Sequence, residues 1–69
     1  MNEFRIEITS VPDRKKLVAE IWHAEKLLAE INQENKNIEI EWYQFDSFIC
    51  DFDAFIKVLE TAKEKLSHG

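Results

Sequence analysis

Leu17-Val18-Ala19-Glu20-Ile21-Trp22-His23-Ala24-Glu25-Lys26-Leu27-Leu28-Ala29-Glu30-Ile31-Asn32 is the stretch on which the fold turns, because it supports two readings. Leu17, Ile21, Ala24, Leu28 and Ile31 recur at helical spacing in a stretch rich in Ala, Glu, Lys and Leu, which are good helix formers. The same residues also divide into Val-Ala-Glu-Ile and Leu-Ala-Glu-Ile, each with the alternation of a half-buried strand. Periodicity alone favours the helix, which would run through residues 13–33 of a β-α-β-α chain.

The flanking segments are plainer. Glu3 to Thr9 alternates with Phe4, Ile6 and Ile8 on one face, and Ser10, Val11, Pro12 and Asp13 end it with turn chemistry. Ile38 to Tyr43 repeats the pattern, with Ile38, Ile40 and Trp42 inward and Glu39, Glu41 and Tyr43 outward. Phe52, Phe55, Ile56, Leu59, Ala62 and Leu66 recur at three- and four-residue spacing, which predicts an amphipathic helix from about Asp51 to Ser67. Asp51 or Asp53 can cap its first-turn amides, and Lys63 and Lys65 suit its negative end.

Packing then weighs against the central helix. It would leave only two strands, a parallel pair that makes a thin and poorly supported sheet. Two strands, Leu17 to His23 and Leu27 to Asn32, around a turn at Ala24, Glu25 and Lys26 give a four-stranded antiparallel meander packed on one C-terminal amphipathic helix, an α+β fold. Ala19, Ile21, Leu27, Ala29 and Ile31 would then face the helix. The turn lacks the Asn-Gly or Gly-Gly signal of a tight hairpin.

The whole chain, residues 1–69, reads as a single domain, since nothing in it has the composition of a linker and glycine and proline each appear once. A chain of this length buries only about 60% of its unfolded surface, so a deep active-site cleft is not expected. The hydrophobic share of 45%, with five Phe and two Trp, is that of a chain that folds. No apolar run approaches the roughly 18 residues needed to cross a bilayer, and the N-terminus lacks the pattern of a secretory signal. The single Cys50, set among Phe48, Ile49 and Phe52, reads as a buried, inert thiol. A protein that begins near Met1 and works in a reducing cytoplasm is expected.

No nucleophile elbow, phosphate loop, paired Cys or His-x-x-x-His is present, so no catalytic residues, cofactor or metal are expected and the chain does not read as an enzyme. Asp46, Asp51 and Asp53 lack the glycine and the closing glutamate of a calcium loop. His23 reads as a turn residue and His68 as part of a frayed terminus. The formal net charge of -5 argues against nucleic acid and anionic membranes as partners and favours a basic protein.

Thr9-Ser10-Val11-Pro12-Asp13-Arg14, Leu17-Val18-Ala19-Glu20-Ile21-Trp22, Ala29-Glu30-Ile31-Asn32-Gln33-Glu34 and Ile38-Glu39-Ile40-Glu41 together resemble small bacterial proteins of mostly unknown function. Some of that group are similar to immunity proteins encoded beside secreted toxins, including the TriTu type that neutralises an ADP-ribosylating toxin. The resemblance covers most of the chain and implies a hairpin in the middle and a helix at the tail, which decides for the meander. After Trp42 the chain departs from the group, with Gln44 to Cys50 in place of a loop containing Gly or Pro.

In the meander, Glu7, Glu20, Glu30, Glu39 and Glu41 fall on the sheet face away from the helix, together with Trp22, Leu28 and Tyr43. Carboxylates around aromatic anchors suit a basic protein partner. An inhibitor or immunity protein acting through these residues is expected, with a homodimeric interaction module as the alternative. A nucleic-acid mimic has the right charge sign but too little charge.

Overall fold

A computed structural model describes residues 4–43, 47 and 49–68 of the chain. Met1, Glu3, Gln44, Asp46 and Phe48, which entered the expectations above, lie outside the described residues. The fold is α+β, with β1 (Phe4–Thr9), β2 (Val18–His23), β3 (Lys26–Asn32), β4 (Glu39–Trp42) and α1 (Phe52–His68) in chain order. The four strands form one open antiparallel sheet in the order β1-β2-β3-β4. The central helix that local periodicity favours does not form. Residues Val18 to Asn32 instead supply the two inner strands, because the sheet buries Ala19, Ile21, Ala29 and Ile31 on its helix side.

One irregularity sets the sheet's register. Ile21 pairs with Ala29 while Trp22 pairs with Leu27, so Leu28 is an extra residue on β3. The turn is therefore two residues long, Ala24 and Glu25, and Lys26 belongs to β3 rather than to the turn. A two-residue turn without the bulge would carry its pairing inward, with Ala19 opposite Glu30 and the acid on the apolar face. The extra residue shifts the register by one, which keeps Ala29 and Ile31 on the helix side and Glu30 on the other.

Helix α1 packs on β1, β2 and β3. Val58, Ala62 and Leu66 meet Ala19, Ile21 and Ile31 in the core, with Phe4, Ile6, Ile8 and Leu59 around them. Asp51 is the N-cap: the Ala54 amide donates to its Oδ2 at 2.9 Å, and the first helical bond runs from the Phe55 amide to the Asp51 carbonyl at 3.0 Å. Asp53 in the first turn and Lys65 and His68 in the last complement the helix dipole. Cys50 is a free, half-buried thiol just before the cap. No helix among the described residues is long and apolar enough to cross a membrane.

The hairpin turn holds Ala24 at φ 55, in the left-handed region where a Cβ is costly. Replacing Ala24 by glycine removes that cost, partly offset by the greater freedom of glycine in the unfolded chain. Ala24→Gly is expected to raise the unfolding free energy by about 0.5 kcal/mol in urea titrations, and a loss of stability would contradict the assigned turn.

Candidate functional site on the outer sheet face

The register aligns four glutamates in one row across the sheet. Glu7 pairs with Glu20, Glu20 with Glu30, and Glu30 with Glu41, each on a different strand. Like charges directly opposite one another on neighbouring strands are destabilising, so this row needs counter-charges.

Arg14 provides the main one. The β1–β2 connection folds back over the outer face, where Arg14 Nε donates to Glu30 Oε2 and Arg14 Nη2 to Glu41 Oε1, both at 2.7 Å. Glu34 holds that connection in place, since its carboxylate accepts from the Lys15 amide at 3.1 Å and the Lys16 amide at 2.8 Å. Those backbone donors, Lys16 first and then Lys15, keep Glu34 below the usual carboxylate range. The hydrogen bond to Glu30 raises the Arg14 guanidinium above its ordinary value, opposed by burial and aided by the charges of Glu30, Glu41 and Asp13.

The other end of the row is held by a second arginine. Arg5 lies over the Trp22 ring at 5.0 Å and donates to Glu7 at 2.6 Å, and Trp22 Nε1 donates to Glu20 Oε1 at 3.2 Å. Glu39, outside the row, accepts from the Asn35 side-chain amide at 2.8 Å.

The predicted site residues thus share one face, but they are not equally accessible. Glu7, Glu39 and Glu41 are exposed, and Glu20, Trp22 and Tyr43 are half-buried. Leu28 is 2% exposed and Glu30 is 4% exposed, so both lie beneath the surface and support it rather than contacting a partner directly. Leu28 is the extra residue of the bulge, and Glu30 is covered because Arg14 and Tyr43 close over its carboxylate. Arg14, which organises this face, is not among the site residues expected from the sequence. Its sign is legible, as a guanidinium in the loop between two strands that each carry a glutamate, but its partner lies sixteen residues away. Among the described residues, no group of three or more His, Cys, Asp and Glu is placed to hold a metal ion.

Tyr43 hydroxyl donates to Glu30 Oε1 at 3.0 Å. Burial, then the hydrogen bond to Glu30 and the charges of Glu30 and Glu41, push this phenol up to about 12. The fold favours the neutral phenol, so the stability linked to it is intact below the unfolded value of 10.0 and is lost as pH rises toward about 12. Tyr43 is the only tyrosine, so phenolate absorbance reports this one group. Its titration midpoint is expected above that of the urea-unfolded chain and to fall in Glu30→Gln; coincident midpoints would show that the Glu30 contact is not made in solution.

The Arg14–Glu30 pair has side chains only 23% and 5% exposed. Arg14→Met is expected to lower the unfolding free energy by leaving the Glu30 carboxylate without its cation. Adding Glu30→Gln, which keeps an acceptor for Tyr43, is expected to recover most of that loss in urea unfolding. Equal costs for the single and double variants would mean that the pair is not coupled.

The sequence matches no protein-family model and no curated protein, and the fold matches no solved structure, so the reading of function rests on the chemistry of this face.

Proposed function

We propose that this chain is a non-catalytic protein-binding domain, a small acidic inhibitor or immunity protein that occludes a basic protein partner such as a bacterial toxin. The observation that supports this reading is the row Glu7–Glu20–Glu30–Glu41, flanked by Trp22, Tyr43 and Glu39, on the sheet face that α1 leaves open. Packing stability alone would not select four carboxylates in line across four strands. Departures of that kind, where a local rule is broken, are expected at functional sites.

The counter-charges are arranged in keeping with this reading. Five glutamates on the outer strand faces meet two guanidiniums, Arg5 and Arg14, so the face stays acidic although Glu7, Glu30 and Glu41 are each ion-paired. Those bonds also hold the carboxylates in place before a partner arrives, which lowers the ordering cost of binding. The rings of Trp22 and Tyr43 are partly exposed among these acids; Arg5 already lies over Trp22, which leaves Tyr43 for a partner's lysine or arginine to lie across. Charge complementarity of this kind raises the association rate and selects against acidic partners.

The decisive experiment places a photo-reactive residue at Glu20 in the cell that makes the protein, with Thr61 on the helix as the control site. A basic protein captured from Glu20 and not from Thr61, in a complex with the purified chain that weakens as salt rises, is the expected result. Capture of a second copy of the chain, matched by a dimer mass in light scattering, would identify the homodimeric module instead.

A further inference from the structure

We propose that the partner is held by strand addition at β4: an extended segment whose side chains alternate basic and apolar joins the sheet there as an antiparallel fifth strand. This rests on the protein-binding reading above and adds to it the mode of attachment and the chemistry of the bound segment.

Strand β4 is the last strand of the sheet, so one of its sides has no strand partner among the described residues. The Tyr43 amide donates to the Leu28 carbonyl at 3.0 Å across the β3–β4 boundary. Alternation along an antiparallel ladder therefore turns the N–H and C=O groups of Glu39 and Glu41 toward β3, and those of Ile40 and Trp42 toward the open edge. An added strand can bond to those groups directly.

The side chains of β4 specify what would fit. On the helix side, Ile40 and Trp42, with Ile38 just before the strand, are 36%, 49% and 39% exposed, because α1 packs mainly over β1, β2 and β3 and reaches β4 only through Phe55. The Trp42 ring lies 5.9 Å from that of Phe55, and the hand of sheet and helix sets Phe52 and Ile56 on the helix flank that faces β4. Both are exposed, so an apolar shelf runs from the strand to the start of the helix. On the opposite side of the same strand stand Glu39 and Glu41. A partner strand thus meets apolar side chains on one face and carboxylates on the other, which is met by alternating apolar and basic residues.

The two competing arrangements fit less well. At the other edge, the apolar side chains Phe4, Ile6 and Ile8 of β1 are packed against the core, and Arg5 is paired with Glu7. For a second copy of the chain, antiparallel β4–β4 pairings centred on Glu39, Ile40 or Glu41 set a glutamate opposite a glutamate, which opposes association, and the one centred on Trp42 sets Glu41 opposite Tyr43 with no cation to meet it.

The test titrates the full chain with an end-capped peptide alternating lysine and valine. Beside it are a peptide of the same composition with lysines and valines in separate blocks, one N-methylated at its valines, and one alternating glutamate and valine. The alternating lysine peptide is expected to bind roughly tenfold more tightly than the blocked one, with the Ile40 and Trp42 amides gaining protection from hydrogen exchange. N-methylation removes the donors facing β4 and is expected to abolish that preference. Ile40→Pro removes an edge N–H at a position where proline is tolerated and is expected to do the same, whereas Ile40→Ala keeps most of it. Lysine-peptide binding that ignores alternation, N-methylation and Ile40→Pro would overturn strand addition while leaving the acidic-face reading standing. Equal binding of the glutamate peptide would overturn both.

Discussion

The rest of the structure depends on the β2–β3 register, with Ile21 opposite Ala29 and Glu20 opposite Glu30. Because side chains alternate with period two, a slip of one residue would turn Glu30 into the core and Ala29 out of it. The bulge at Leu28 prevents that slip while allowing a two-residue turn. Every later feature follows from this pairing: the apolar surface on which Val58, Ala62 and Leu66 pack, the line of glutamates behind it, and the site where Arg14 lands.

The two faces of the sheet are organised by different physics. On the helix side, burial of branched and aromatic side chains is the driving force, and it fades at β4, where the helix no longer covers the strand. On the outer side, charges are brought close and then neutralised in part by two arginines. The part-buried Arg14–Glu30 pair is weak support for stability compared with an apolar pair of the same size, since Glu30 in particular loses water to form it. What it contributes is a fixed position for the β1–β2 connection and a fixed acceptor for Tyr43.

The proposed strand addition at β4 and the proposed docking on the outer face share one geometry. Glu41 belongs to both, as the end of the glutamate row and as a side chain of the open strand. A partner segment added at the edge would extend the sheet, carrying its basic residues onto the same face as Glu20 and Trp22.

The sequence by itself determined the elements that carry a local period. Phe4, Ile6 and Ile8 marked the first strand, Ile38, Ile40 and Trp42 the last, and the spacing from Phe52 to Leu66 the helix with its Asp51 cap. It also placed Glu7, Glu20, Glu30, Glu39, Glu41, Trp22 and Tyr43 on one face, because face membership follows from alternation alone. Only the tertiary structure decided the rest. Leu17 to Asn32 satisfies both periods, and what selects strands is the joint burial of Ala19, Ile21, Ala29 and Ile31 under the helix, a contact between distant residues. The bulge at Leu28, the ion pair of Arg14 with Glu30 and the exposure of β4 depend on register, long-range approach and helix placement, none of which has a local signature in the chain.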